Sequence, residues 1–451
     1  MENFSRKAYS DKLEAIFRRF PSVQKAPFGE AYKPGLEHMV EFAAMLGNPQ
    51  EKYRTIHVAG TNGKGSVANM LASILASAGL KTGLYTSPHI LDFRERARTV
   101  MPGSDRASLI PEEYVFDFLC SHEADMDRLD LSFFEITTGL AFKWFADEGV
   151  DLAVIEVGLG GRLDSTNIIT PDLSIVTSIA LDHCSQLGDT LEAIAGEKAG
   201  IFKDHVPAIV GEWLPETRPV FERKARETGS PLTFAQDTEP SLWYRHEEIL
   251  RAMDLQGRYQ ASNLRTVLAA VDILSTMPLY KGMEDSGKTL DAIVHTAARM
   301  DFHGRWERLC IQPHIIADIG HNPAALKENF YQLRRMKEEG ECSSLIIVYA
   351  VMADKDLDGI MPLMPEDATY IFTNPEIRRA LPEQELSARY KAFCDASGRP
   401  KNRIYDAPDV REALSMAITL AKDYSSPLIY VGGSTYLVSE AVRILKSVQG
   451  F

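Results

Sequence analysis

The sequence predicts a two-domain α/β protein built on mostly parallel sheets, and three observations carry that expectation. In TIHVAGTNGKGSVANMLASILASAG (55–79) a glycine-rich turn joins a short apolar strand to an amphipathic helix. Beyond it, apolar β-rich runs alternate with helix-patterned segments, as in a parallel sheet with helices on both faces. Past residue 296 a fresh alternation of the same kind begins. At 451 residues the chain is longer than one core sustains, so domains at 1–296 and 297–451 are expected.

The first strand and helix carry the first chemistry. Val67, Met70, Leu71, Ile74, Leu75 and Ala78 fall on one stripe of a 3.6-residue helix. Gly60, Gly63 and Gly65 let backbone N–H groups approach an anion, the helix N-terminus favours negative charge, and Lys64 adds a full positive charge. Ser66 sits where a hydroxyl ligates Mg²⁺ in such loops. Asn62, Gly63, Lys64, Gly65 and Ser66 are thus candidate nucleotide contacts. The loop departs from the strict GxxxxGK(S/T) pattern, because Val58 replaces the first glycine and Gly65 separates Lys64 from Ser66. A glycine turn without a ligand is the plain alternative, but turn chemistry alone does not call for a lysine between two glycines followed by serine.

Segment 81–86 reads as a strand ending in the polar Ser87-Pro88-His89 loop. Segments 151–157 and 173–179 read as strands buried on both faces, and such sheets bind ligands at the carboxyl ends of their strands. Glu156 closes the first of these just before Gly158-Leu159-Gly160-Gly161. It is placed to hold Mg²⁺ directly or through water, or is an ordinary strand-end charge. Asp182-His183 follows the next strand, and His183 is either a metal ligand or base, or a structural loop histidine. Segment 189–202 reads as a helix, with Asp189 and Glu192 spaced as a capping box. Lys198 falls on its apolar stripe, where burial is costly unless the amine is paired or altered. Two readings stay open. The ammonium reaches water past its own stem, or a desolvated amine with a lowered pKa reacts with CO₂ to give a carbamate, a carboxylate-like metal ligand.

From 207 to 248 the pattern weakens into charged, proline-punctuated sequence that reads as peripheral. In the second domain a strand at 314–318 turns through Gly320-His321-Asn322-Pro323 into a helix at 324–336, with further strands at 344–351, 369–373 and 428–431. Arg305 suits phosphate oxygens, and Asp318 suits ribose or base contacts, or serves only its own turn. A cleft between the domains is the expected place for a substrate.

A net charge of −14, from 49 basic and 63 acidic residues, argues against a nucleic-acid or anionic-membrane surface. Cys120, Cys184, Cys310, Cys342 and Cys394 lack CxxC spacing and read as reduced thiols. The opening MENFSRKAYSDKLEAIF has no apolar signal core, and no run approaches the roughly 20 apolar residues of a membrane span. A cytoplasmic monomer is expected, with no nucleic-acid or membrane partner.

Ten stretches together resemble folylpolyglutamate synthase/dihydrofolate synthase, within the Mur ligase superfamily. They are HVAGTNGKGSVANML (57–71), YTSPHILDFRER (85–96), FFEITTGLAF (133–142), VIEVGLGGRLDSTN (154–167), LDHCSQLG (181–188), EKAGIFK (197–203), GRYQASN (257–263), HGRWE (303–307), DIGHNPAAL (318–326) and VMADKD (351–356), in the family's order. The resemblance implies an N-terminal P-loop ATPase domain with a mostly parallel sheet and a smaller C-terminal Rossmann-like domain. It implies ATP-driven addition of L-glutamate to a folate tail or to dihydropteroate through an acyl phosphate, with ATP and two Mg²⁺ sites. On this pattern Lys64 holds phosphates, and Ser66, Ser87 and Glu156 form a first metal site. His183 and carbamylated Lys198 serve a second, and Asn263, Arg305, Asp318 and His321 contact ATP. Glu135 and Thr138 fall near the folate pocket. His303 stands where many relatives have proline, and Ile319 varies an Asp-Gly-Ala-His-Asn form; neither removes a polar ligand. The rival enzyme reading is another Mur-type ligase acting on a cell-wall nucleotide precursor, which the SPH loop and FFEITT stretch disfavour. A P-loop switch has no need for the Asp182-His183 and Lys198 set, and the guanine-specific Asn-Lys-x-Asp signature is absent.

Overall fold

β-Branched and apolar runs assemble two sheets, one in each of two compact units. These are Met1–Asp254 with Tyr259–Phe302, and Leu255–Arg258 with His303–Phe451. The protein is seen in a computed structural model that describes residues 4–20, 35–400 and 403–449, so the first three residues of the N-terminal stretch read above lie outside it. Residues 297–302 stay with the first unit, where the sequence had suggested a boundary at 296.

The first unit's sheet has the order β4-β3-β2-β5-β1-β6-β7-β8. Its strands are β1 Arg54–Ala59, β2 Thr82–Tyr85, β3 Ala97–Val100, β4 Ser108–Leu109, β5 Leu152–Glu156, β6 Leu173–Val176, β7 Ala208–Val210 and β8 Leu232–Phe234. From β2 to β8 every pairing is parallel, and β3 and β4 add an antiparallel edge. The register sets Val58 opposite Glu156, Ala59 opposite Val176, and Tyr85 opposite Ile155, which brings four carboxyl ends level. Segment 207–248 is not peripheral: β7 and β8 extend the sheet, with the helix Arg218–Thr228 between them. At three residues each, these strands are too short to show an alternation.

Two helices depart from their expected form. Lys64–Ser77 is buried almost all round, not along one stripe. Its other faces carry Ala68, Ala72, Ser73 and Ala76, small enough for the helices Gln260–Ser275 and Ser286–Val294 to pack closely. The helix bearing Lys198 runs Leu191–Ala199 and is capped by Thr190, whose Oγ1 accepts from the Ala193 N–H at 3.2 Å. Thr190 holds the extended backbone an N-cap needs, so the expected Asp189–Glu192 capping box does not form. Ile194, Ala195 and Ala199 of that helix join Ala59, Val176, Phe202 and Phe221 in one core, and this packing carries Lys198 inward.

The second unit's sheet has the order β13-β12-β11-β14-β10-β9. Its strands are β9 Glu307–Cys310, β10 His314–Asp318, β11 Ser344–Tyr349, β12 Thr369–Thr373, β13 Ile404–Ala407 and β14 Pro427–Gly432, all parallel except β9. The helix Pro323–Glu338 follows β10; Asn322 caps it, its Oδ1 accepting from the Ala325 N–H at 2.9 Å. Among the described residues, no helix is long and apolar enough to cross a membrane.

Candidate active site

The end of β1 turns into the helix Lys64–Ser77 through a loop that only glycine permits. Gly60 has φ +145° and Gly63 φ +89°, and a Cβ on them would fall 1.9 Å from Thr177 Oγ1 and 2.3 Å from Asn263 Oδ1. The loop is tied to the end of β6. The Thr61 N–H donates to the Ser178 carbonyl at 2.7 Å, and the hydroxyls of Thr177 and Ser178 donate to the Asn62 carbonyl at 2.6 and 3.1 Å. Gly63, as N-cap, brings no side chain to the first-turn N–H groups of the helix, which face forward for an anion. The Lys64 ammonium folds over the loop, donating to the Gly60 and Thr61 carbonyls at 2.9 and 3.1 Å. Ser66 is buried, and its Oγ accepts from Gln260 Nε2 at 3.1 Å.

Sheet order brings the next candidates alongside. Glu156 ends β5, between β1 and β2, and its Oε2 accepts from the Ser87 N–H just past β2 at 3.1 Å. Glu95, not singled out by its sequence context, fixes the loop after Ser87: its carboxylate accepts the N–H groups of Ile90, Leu91 and Asp92 at 2.7–2.8 Å. One carboxylate and two serine hydroxyls fit a hard cation that keeps waters and takes phosphate oxygens. Among the described residues, no three His, Cys, Asp or Glu side chains converge as a protein-only metal cage.

Lys198 is buried (4% exposed), so its stem and nearly all of its side chain are out of water. Burial first, and the Lys64 charge second, lower its pKa to about 7; Asp182, Asp164 and Glu197 pull the other way. The structure thus gathers Lys64, Lys198 and Asp182 into one electrostatic neighbourhood. His183, next to Asp182, is exposed, has left-handed backbone (φ 52°), and donates its N–H to Asp182 Oδ1 at 3.0 Å.

The glycine loop after Glu156 joins these parts through residues the sequence did not single out. Asp164 Oδ2 accepts from the N–H groups of Gly158 and Leu159 at 3.0 and 2.9 Å, and its Oδ1 accepts from the Thr166 N–H at 3.0 Å and from the Thr166 hydroxyl. His57, buried in β1, bonds Thr166 Oγ1 through Nε2 at 2.8 Å. Because the Thr166 proton goes to Asp164, His57 donates from Nε2–H. Burial, with the Lys203 charge, holds its pKa down to about 3, so the ring is neutral. A Cβ at Gly161 would meet the Glu197 carbonyl at 2.8 Å, so this loop packs directly on the Lys198 helix. The one sequence signal was Asp-Ser-Thr after a glycine run, the pattern of an aspartate capping a turn.

Other expected contacts have internal partners. Glu135 completes a capping box, its Oε2 accepting from the Ser132 N–H at 2.7 Å, and the Thr138 hydroxyl bonds Tyr85 OH at 3.1 Å. Both are buried. Asn263 is buried beside the phosphate loop, its Nδ2 donating to Gln260 Oε1 at 2.8 Å. Within the second unit, Asp318 ends β10 and accepts from the Trp306 N–H at 2.9 Å and from the Gly320 N–H and Asn329 Nδ2 at 2.7 Å. His321 Nδ1 donates to the Ile319 carbonyl at 3.0 Å, and Arg305 donates to the His303 carbonyl at 3.3 Å.

Comparison with known proteins agrees with this two-unit α/β fold. Residues 304–434 match the family described as Mur ligase, glutamate ligase domain. The chain is 33% identical over 421 residues to the folylpolyglutamate synthase of Lacticaseibacillus casei, covering 88% of this chain and 91% of that one. It matches the structure of E. coli FolC in complex with DHPP and ADP with a TM-score of 0.78 and 26% identity, over 98% of each chain. It also matches the bifunctional folylpolyglutamate synthase/dihydrofolate synthase of Yersinia pestis complexed with AMPPNP and Mn ion, with a TM-score of 0.77 and 25% identity over 100% of both chains.

Proposed function

Because the chain belongs to the folylpolyglutamate synthase/dihydrofolate synthase family, we propose that the strand-end site of its first unit drives that family's ligation. The enzyme is an ATP-dependent acid–amino-acid ligase, adding L-glutamate to folate γ-glutamyl tails and to dihydropteroate. A substrate carboxylate oxygen attacks the γ-phosphorus of ATP and ADP leaves. The glutamate amine then attacks the acyl phosphate, forming the amide and releasing phosphate and a proton. Phosphoryl transfer asks mainly for positioning and charge neutralisation. The N–H groups of residues 62–66 and the Lys64 ammonium supply both.

Ser66, Ser87 and Glu156 would hold one Mg²⁺, and His183 with a carbamate on Lys198 would hold a second. The metal supplies further charge neutralisation on the reacting oxygens when bound. The Lys198 amine makes its carbamate by adding Nζ to the carbon of CO₂ and releasing a proton; with its pKa near 7, much of it is free amine at neutral pH. Asn263, Arg305, Asp318 and His321 contact the nucleotide. Glu135 and Thr138 lie on the folate-binding side and contact the folate substrate. The protein works as a cytoplasmic monomer without nucleic acid; its free cysteines support a reducing compartment, and its net charge of −14 disfavours a nucleic-acid surface.

The observation that carries this reading is the buried Lys198 within the field of the phosphate-loop lysine. Purified protein with ATP, Mg²⁺ and L-glutamate, offered dihydropteroate or tetrahydrofolate separately, tests it by product mass. Each acid should gain a glutamyl residue, with ADP release that needs both acid and glutamate. ADP release independent of either would contradict it.

A further inference from the structure

Gln260, the first residue of the helix Gln260–Ser275, lies within the GRYQASN stretch (257–263) but was given no role there, yet it is fully buried (0% exposed) and touches two site residues at once. Its Nε2 donates to Ser66 Oγ at 3.1 Å, and its Oε1 accepts from Asn263 Nδ2 at 2.8 Å. With that Nδ2 committed, the Asn263 Oδ1 faces the phosphate loop, 2.3 Å from where a Cβ on Gly63 would stand. A serine hydroxyl has one proton and two lone pairs. Gln260 occupies one lone pair and leaves the other for a cation.

We propose that Gln260 is a positioning residue for the ligase. Its amide fixes the Ser66 hydroxyl with a lone pair turned to the divalent cation, and its other end sets Asn263 against the phosphate loop. A partner that orients a metal ligand in this way typically contributes about 10- to 100-fold in metal affinity. The inference rests on Ser66 being a metal ligand, as proposed above.

The test measures AMPPNP binding by calorimetry with Mg²⁺ and with EDTA. Wild type should bind more tightly with Mg²⁺. In Gln260→Met, which keeps an unbranched side chain but cannot donate, that metal-dependent gain should fall by about 10- to 100-fold, with a smaller loss in EDTA. Gln260→Leu is the second variant should the first fold poorly, with melting temperatures confirming the fold. Ser66→Ala should lose the same gain, and Ser66→Ala with Gln260→Met should lose no more, because the two act through one bond. An intact gain in the Gln260 variants, or an equal loss with and without metal, overturns the proposal. A wild-type protein with no metal gain overturns the reading of Ser66 itself, and this inference with it.

Discussion

Lys198 shows how packing prepares a side chain for chemistry. Ile194, Ala195 and Ala199 bind its helix to the core, and the amine goes in with them. We expect Lys198→Ala to abolish ligation while leaving the fold and AMPPNP binding largely intact, and added short carboxylic acids to restore part of the turnover. Near wild-type turnover in the alanine variant would end the carbamate reading. A second expectation concerns pH. The folded pKa of about 7 lies below the ordinary 10.5, so the folded state resists a proton that the unfolded chain keeps. Between about pH 7 and 10.5 the unfolded state binds more protons, so stability rises with pH; below 7 the full penalty is present. Lys198→Met in CO₂-free buffer should therefore be more stable than wild type at pH 6–7, with the advantage shrinking toward pH 10 in urea titrations. Helical periodicity made Lys198 legible in the sequence. Gln260, Asp164 and Thr166 lay inside quoted stretches (257–263 and 154–167), but their roles were not legible, because each acts through bonds to residues remote in sequence or to bare N–H groups. The capping role of Glu135 was not read for a related reason: a buried cap and a substrate contact leave the same polar residue in an apolar helix.

Between elements, the glycine loop after β5 and the Lys198 helix behave as one piece. A Cβ on Gly161 would fall 2.8 Å from the Glu197 carbonyl and one on Gly200 2.5 Å from Arg162 Cα, and the Arg162 N–H donates to the Glu197 carbonyl at 2.8 Å. Gly161→Ala should push the helix away and lower ligation far more than AMPPNP binding, comparing kcat with nucleotide Kd. Thr166→Val removes the acceptor for His57 Nε2–H and the donor to Asp164, both buried. It should cost about 1–3 kcal/mol in denaturant unfolding. The long strands β1, β5, β11 and β14 announced themselves as apolar runs, whereas β7 and β8 did not, being stabilised by neighbours already in the sheet. The helix Lys64–Ser77 likewise looked one-sided, because alanine and serine do not mark a buried face.

Taken whole, the chain carries a net charge of −14 and must bind ATP and a folate acid, both anions. On the proposed reading it does so locally, where the ends of β1, β2, β5 and β6 gather glycine N–H groups and Lys64. That convergence followed from parallel-sheet logic applied to the sequence, and the order of the strands came only from the structure. The central claim is that the site moves a phosphoryl group onto the acid, and isotope transfer tests it directly. With dihydropteroate labelled by ¹⁸O in its carboxylate, incubated with ATP, Mg²⁺ and L-glutamate, the released phosphate should carry one ¹⁸O atom per turnover by mass spectrometry. Released phosphate free of ¹⁸O, alongside amide product, would mean the carboxylate was never phosphorylated.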